Sequence, residues 1–455
     1  MSAVCYRDLK GQKVGVCVSG ASPCGAAPRL PLTLRTPAAA GSRRRSHVAR
    51  PDCRTRARTV SKRLVEAGIE VLAFSADLGQ PDETDINNVR VRMATCGVDT
   101  IIIDLKDDMA EGCFDVIQAQ AKYDGGYWNT TGIGRFVTCR GLVRSMLAEK
   151  VTVLSHGATG RGNDQMRFER YTNVLAPQMK VYAPWRDPEL LDEFPGRAEM
   201  VAYLTTFGIE AFVGPKKKYS TDANLAGLSH EAEDLESVET PMTIVEAEMG
   251  VWPQEAPDKI EEVTLKFEHA RCVEINGAKL TPVEAIKLAN LIGGRNGVGI
   301  SHALENRIIG TKSRGVYEAP GMELLGSALE FVYQAVLDRR AQALFETLGK
   351  HVGSQIYDGR WFDPSTRAAM IAIQELTKSA SGTVKVGCYK GNVFFLGLKD
   401  VTASLYNEAD SSMEKSDGLN PVSSQGFAEI QAVEAKSLAR AGLINDEPTK
   451  KAKTA

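Results

Sequence analysis

The chain has 455 residues, 43% hydrophobic and 25% charged, the composition of an ordinary globular protein long enough for two to three domains. A formal net charge of −2 gives no bulk attraction to nucleic acid, and no apolar run approaches the length of a membrane span. Nine cysteines, odd in number and without a C-x-x-C pair, fit a reducing compartment, the cytoplasm, better than a disulfide framework, and His and Cys are scattered without metal-ligand spacing.

Charge is uneven along the chain. Residues 1–60 hold twelve Lys or Arg against Asp8 and Asp52, net +10, which leaves −12 on the remainder. Apolar runs at 13–18, 71–74, 100–103 and 151–154 alternate with amphipathic stretches and predict an α/β, doubly wound parallel sheet over residues 1–194. The stretch 59–67 carries Val60, Leu64 and Val65 at helical spacing and stops at Gly68, and 136–149 repeats the pattern with Val137, Leu142, Val143, Met146 and Leu147. Ligands of such sheets bind beyond the carboxyl ends of the strands, where Asp77-Leu78-Gly79-Gln80 and the segment after Leu154 fall. Residues 195–415 are less regular: strands at 262–267 and 384–398 and helices at 282–292 and 322–349 predict an α+β domain. Phe427, Ile430, Val433 and Leu438 form one apolar stripe of a helix within 416–444 that closes at Gly442, and 445–455 is a charged tail without a core.

The most telling stretch is His156-Gly157-Ala158-Thr159-Gly160-Arg161-Gly162-Asn163-Asp164, directly after the fourth apolar run. Its glycines let backbone N–H groups approach a ligand, while Thr159, Asn163 and Asp164 offer a hydroxyl, an amide and a carboxylate. Alone, it reads equally well as a turn between strand and helix. Around it lie Tyr127-Trp128-Asn129-Thr130-Thr131-Gly132-Ile133-Gly134-Arg135, Gln165 to Glu169, Tyr219-Ser220-Thr221-Asp222-Ala223-Asn224, Ser229-His230-Glu231-Ala232, Leu304-Glu305-Asn306-Arg307 and Lys312 to Gly321.

In order and spacing these blocks resemble the argininosuccinate synthase family, a branch of the P-loop ATP pyrophosphatases, over about 13–20 and again about 59–442. The resemblance implies a nucleotide-binding domain followed by a synthetase domain and a C-terminal helix that joins subunits of a homotetramer. It implies ligation of citrulline to aspartate in arginine biosynthesis, with ATP cleaved to AMP and pyrophosphate through a citrullyl-adenylate, and Mg²⁺ bridging phosphate oxygens. Matched positions give ATP contacts at Ser19, Gly20, Ala76, Gly157, Thr159, Asp164 and Asp222 and aspartate contacts at Thr159, Asn163 and Asp164, the three that would carry the catalysis. Citrulline contacts fall on Tyr127, Thr131, Asn163, Arg167, Ser220, Ser229, Glu231, Glu305 and Tyr317. A guanidinium fork at Arg167 suits the citrulline carboxylate, and acids and hydroxyls suit its ammonium and ureido ends. Singly, Ser220 and Asp222 read as turn or cap residues and Arg167 as a helix-surface ion-pair partner; their weight comes from occurring together. His156 and His230 read as structural or solvated histidines beside the site.

One departure is large. Val16-Cys17-Val18-Ser19-Gly20 looks like the strand and first residues of the family's phosphate loop, which continues Gly-x-Asp-Ser/Thr, but Ala21 follows here. Between Gly20 and Thr59 stand five prolines and nine arginines with Asp52 the only acid, so residues 21–57 are expected to be exposed and without order. A targeting peptide has this composition but not this position, and an inserted loop would break the phosphate cradle. Translated non-coding or frame-shifted sequence accounts best for the abrupt edges. Three functions therefore compete: the ligase itself, another P-loop pyrophosphatase ligase, and a catalytically impaired member that binds amino acids or serves as an oligomer subunit. No nucleic-acid or membrane partner is expected.

Overall fold

A computed structural model describes residues 4–18, 53–81, 85–160, 162–210, 219–412 and 420–443. The described residues fall into two compact units, one ending at Ala403 and one beginning at Ser404.

The first unit starts with the alternation the sequence predicts: β1 (Lys13–Cys17), α1 (Cys53–Glu66), β2 (Glu70–Asp77), α2 (Asn88–Ala94), β3 (Asp99–Asp104), α3 (Lys106–Ala119), α4 (Thr130–Ala148), β4 (Val153–Ser155), α5 (Asp164–Leu175), β5 (Lys180–Tyr182), α6 (Pro188–Glu193) and α7 (Arg197–Thr206). All five strands are parallel, in the order β3-β2-β1-β4-β5. β1 is the centre, with Val14 fully buried and in register with Val71 on one side and Val153 on the other. Because β1 has β2 on one flank and β4 on the other, connections leave in opposite directions and open a crevice at the carboxyl ends of these strands.

α1 corrects one expectation. It begins at Cys53, so the last residues of the 21–57 segment are helical, and Thr55 and Ala57 are buried. Ala57 stands three residues before Val60 and seven before Leu64 and so extends the same apolar stripe back by a turn. Ser19, Gly20, residues 21–52 and the 445–455 tail lie outside the described residues.

The chain continues through β6 (Ser220–Asn224), β7 (Gly227–Glu231), β8 (Glu261–Glu268), β9 (Arg271–Ile275), β10 (Ala278–Lys279), α8 (Pro282–Arg295), β11 (Ile300–Asn306), β12 (Lys312–Glu318), α9 (Pro320–Val336), α10 (Arg339–Tyr357), α11 (Pro364–Thr377), β13 (Gly382–Tyr389) and β14 (Asn392–Lys399). Two antiparallel sheets result, β10-β9-β8-β13-β14 and β11-β12-β7-β6, which gives the α+β character expected. Two predicted elements are each divided. The helix expected over 322–349 breaks at Leu337-Asp338, because the Asp338 carboxylate accepts the N–H groups of Arg340 (2.8 Å) and Ala341 (3.2 Å) and starts α10 afresh. The strand expected over 384–398 is a hairpin whose two-residue turn, Lys390-Gly391, has positive φ at both positions. One hydrophobic core joins α3 and α4 to this region, with Met109, Ile117 and Ile133 clustered with Leu265, Leu325 and Val352.

The second unit holds α12 (Glu408–Ser411) and α13 (Ser423–Arg440). α13 ends where Gly442 takes a positive φ and Leu443 N–H reaches the Leu438 carbonyl at 3.1 Å. Phe427, Ile430 and Val433 are exposed along it. No helix among the described residues is long and apolar enough to cross a membrane.

Ser61 of α1 is fully buried, and its hydroxyl has no hydrogen-bond partner among the described residues. Replacing it by Ala (Ser61→Ala) removes an unsatisfied polar group and should stabilise the fold by about 1 kcal/mol in denaturant unfolding; a loss of stability would show that the hydroxyl is satisfied.

Candidate active site

The carboxyl edge of the parallel sheet is shaped by its own polar residues. At the end of β2, Asp77 takes Lys106 Nζ at 2.7 Å and the Gly79 N–H at 3.0 Å. Gln80 closes the turn, accepting the Leu78 N–H at 3.0 Å and donating to the Ala76 carbonyl at 3.1 Å. After β4 the chain passes His156 and Gly157 and enters α5 at Asp164. His156 is buried, stacks on Phe168 and lies 3.7 Å from Glu169. Among the described residues nothing lies within 4 Å of where a Cβ on Gly157 would stand, so no described side chain crowds the backbone there. A small cavity at the ends of β1 and β4 is lined by Cys17, Arg56, Ser155 and Gly157 among others.

The predicted contacts of α5 meet residues from three other elements. Asp164, in the first turn, receives Arg167 Nη1 at 3.1 Å and Arg135 Nη2, from α4, at 2.8 Å. The same Arg135 nitrogen reaches Asp222 of β6 at 2.5 Å. Asn163 donates its amide to the Tyr357 hydroxyl (2.9 Å) and accepts the Ile308 N–H (3.0 Å). Tyr357 in turn donates to Glu305 (2.8 Å), whose other oxygen accepts the Tyr317 hydroxyl (2.7 Å). Tyr317 stacks on Tyr127 at 3.9 Å, and the Tyr127 hydroxyl accepts the Thr131 N–H at 2.9 Å. Ladder register sets Ser229 beside both Asp222 and Tyr317, and Ser220 beside Glu231, which lies 3.6 Å from Arg307.

Of the residues expected at the site, Tyr127, Thr131, Asn163, Asp164, Arg167, Ser220, Asp222, Ser229, Glu231, Glu305 and Tyr317 are thus linked through direct contacts or strand pairing. Ala76, Gly157 and Thr159 are placed instead by the edge of the parallel sheet, Thr159 half-buried in the loop before α5. His230 is structural: its buried ring pairs with Glu318 at 2.7 Å, and Glu318 also accepts the N–H groups of Glu248 and Met249.

Sequence reasoning missed two members. Arg135 stands four residues after Thr131, on the same face of α4, a spacing that could have marked it. Tyr357, at the end of α10, carried no such signal.

Charge explains the arrangement around Asp164. Burial pushes its pKa up, but the Arg135 guanidinium, aided by Arg167, outweighs burial and brings it down to about 2. Burial, with Glu305 nearby, pushes the Tyr127 phenol up to about 12. Asp164 therefore binds its proton later in the folded chain than in the unfolded one. The stabilisation is complete above about pH 4 and is lost as the pH falls through about 2. Arg135→Gln should raise the Asp164 midpoint by about 1–2 units in a carboxyl-carbon NMR titration; an unchanged midpoint would mean that Arg167 alone sets it.

Residues 58–210 match the family model for the arginosuccinate synthase N-terminal HUP domain, and 219–438 that for the arginosuccinate synthase C-terminal domain. The chain is also similar to an argininosuccinate synthase of Rhodopirellula baltica, 36% identical over 373 residues, covering 81% of this chain and 92% of that protein. The chain belongs to the argininosuccinate synthase family, whose members are ligases.

Proposed function

We propose that the chain joins L-citrulline to L-aspartate at the expense of ATP, yielding argininosuccinate, AMP and pyrophosphate, in arginine synthesis. The observation that carries this reading is the single network through which Asn163, Asp164, Arg167, Asp222, Glu305 and Tyr317 meet from α5, β6, β11 and β12. The ureido oxygen of citrulline attacks the α-phosphorus, the bond to the β-phosphate oxygen breaks, and pyrophosphate departs. The aspartate amine then attacks the ureido carbon of the citrullyl-adenylate and expels AMP. Catalysis is mainly positioning and charge neutralisation.

Within this scheme Asp164, held ionised, accepts from the aspartate ammonium, Thr159 and Asn163 orient the same substrate, the Asn163 amide pairs with citrulline as well, and Arg167 receives the citrulline carboxylate. Tyr127, Thr131, Ser220, Ser229, Glu231, Glu305 and Tyr317 line the rest of the citrulline subsite. Ala76, Gly157 and Asp222 face the nucleotide, and the resemblance to the family assigns Ser19 and Gly20 to its phosphates. Mg²⁺ enters with ATP as the metal–nucleotide substrate; among the described residues no group of three or more His, Cys, Asp or Glu could cage a metal by itself. The exposed apolar residues of α13 support assembly as a homotetramer.

Sequence also favours a second reading, an impaired member, because Gly-x-Asp-Ser/Thr does not follow Gly20. The family matches set aside the other-ligase alternative. The present chain is expected to form argininosuccinate slowly with ATP, citrulline and aspartate. Replacing residues 21–57 by Gly-Leu-Asp-Ser should raise the rate roughly a hundredfold or more, since several charge-assisted donors to the leaving pyrophosphate return. Product from neither chain would sink the ligase reading, and fast turnover by the unmodified chain would show that other groups hold the phosphates. Arg167→Lys keeps the charge but loses the fork, so calorimetry should show weaker citrulline binding with ATP binding nearly unchanged; equal losses would contradict the assignment.

A further inference from the structure

We infer that Tyr357 is the positioning residue of the citrulline subsite, an inference that rests on the function proposed above. Its hydroxyl accepts from Asn163 Nδ2 at 2.9 Å and donates to Glu305 Oε1 at 2.8 Å. Its backbone carbonyl accepts Arg167 Nε at 2.9 Å, and the Arg167 guanidinium lies 5.0 Å from the centre of its ring. One residue thereby fixes three groups that the function assigns to citrulline, two from the start of α5 and one from β11. Tyr357 is itself held in place: it is 1% exposed, and its ring stacks on Tyr123 at 3.8 Å with the planes 14° apart.

The Ile308 N–H, which can only donate, decides which way Asn163 points, and the Tyr357 hydroxyl follows. With Ile308 N–H donating to Oδ1, the amide must present Nδ2 to Tyr357, and the Tyr357 proton is then directed to Glu305. This relay leaves Asn163 and Glu305 with one orientation each before substrate arrives, which removes an ordering cost from binding. Gly359 follows two residues later at φ +74, and a Cβ there would come within 3.1 Å of Arg167 Cα, so the turn after α10 packs directly against the same arginine.

Tyr357→Phe keeps the ring, its stacking and the carbonyl contact to Arg167 and deletes only the relay. Calorimetry on the full chain should show citrulline affinity falling roughly tenfold, the loss of one to two hydrogen bonds, while ATP affinity changes less than about twofold and the melting temperature falls by only a few degrees. A double-mutant cycle with Asn163→Ala gives a second reading: the phenylalanine should cost distinctly less when Asn163 is already gone. Equal weakening of citrulline and ATP would reveal a merely structural tyrosine, and unchanged citrulline affinity would refute the relay; either overturns the inference alone. Citrulline binding by neither chain would instead bring down the functional reading, and this inference with it.

Discussion

The carboxylate of Asp164 between two guanidinium groups is the interaction on which the site depends. A half-buried acid at this point would be costly without compensation, and removing one partner from such a pair typically costs more than the pair contributes. Arg167 answers it from its own helix, one turn on. Arg135 answers it from α4 and with the same nitrogen holds Asp222, so a single side chain ties the parallel-sheet half of the molecule to the four-stranded antiparallel sheet. Charge balance and architecture are therefore the same problem here: the two sheets approach as closely as Arg135 allows both acids to reach it.

Beside that node stands a second acid, held in a different way. Glu305 is buried, yet its carboxylate is met by hydroxyls, from Tyr317, Tyr357 and Ser313, rather than by a cation. Hydroxyl donors let an acid remain buried without fixing a positive charge next to it. The two acids thus stand in different environments within one network, one compensated by charge and one by hydrogen bonds.

Much of this was legible in the sequence, and the exceptions have physical causes. The strands of the parallel sheet are short, continuous apolar runs such as Val14 to Val16, which local pattern reveals, and the glycine loop before α5 declares itself by composition. Breaks inside elements did not show: 322–349 keeps its helical period through Leu337, and only the Asp338 carboxylate turning back on Arg340 and Ala341 divides it. The start of α1 was obscured because arginines surround Ala57, although that alanine continues the apolar stripe of Val60 and Leu64. Tyr357 stood beyond reach of any local pattern, since its partner Asn163 lies 194 positions away. The family match to the first domain starts at residue 58, yet the central strand of that domain, β1, comes from before it.

The alternation along β7 carries a last consequence. Ser229 and Glu231 point to one side of the strand and His230 to the other, where its imidazole meets Glu318 in a fully buried pair. A slip of the strand by a single residue would carry the histidine to the side that Ser229 and Glu231 occupy and turn both of them to the other. It would also strand Glu318, together with the N–H groups of Glu248 and Met249 that depend on it, without an imidazole. That pair is thus what makes the wrong alignment expensive, and Ser229 and Glu231 keep their side of the strand because a histidine on the opposite side has only one place to go.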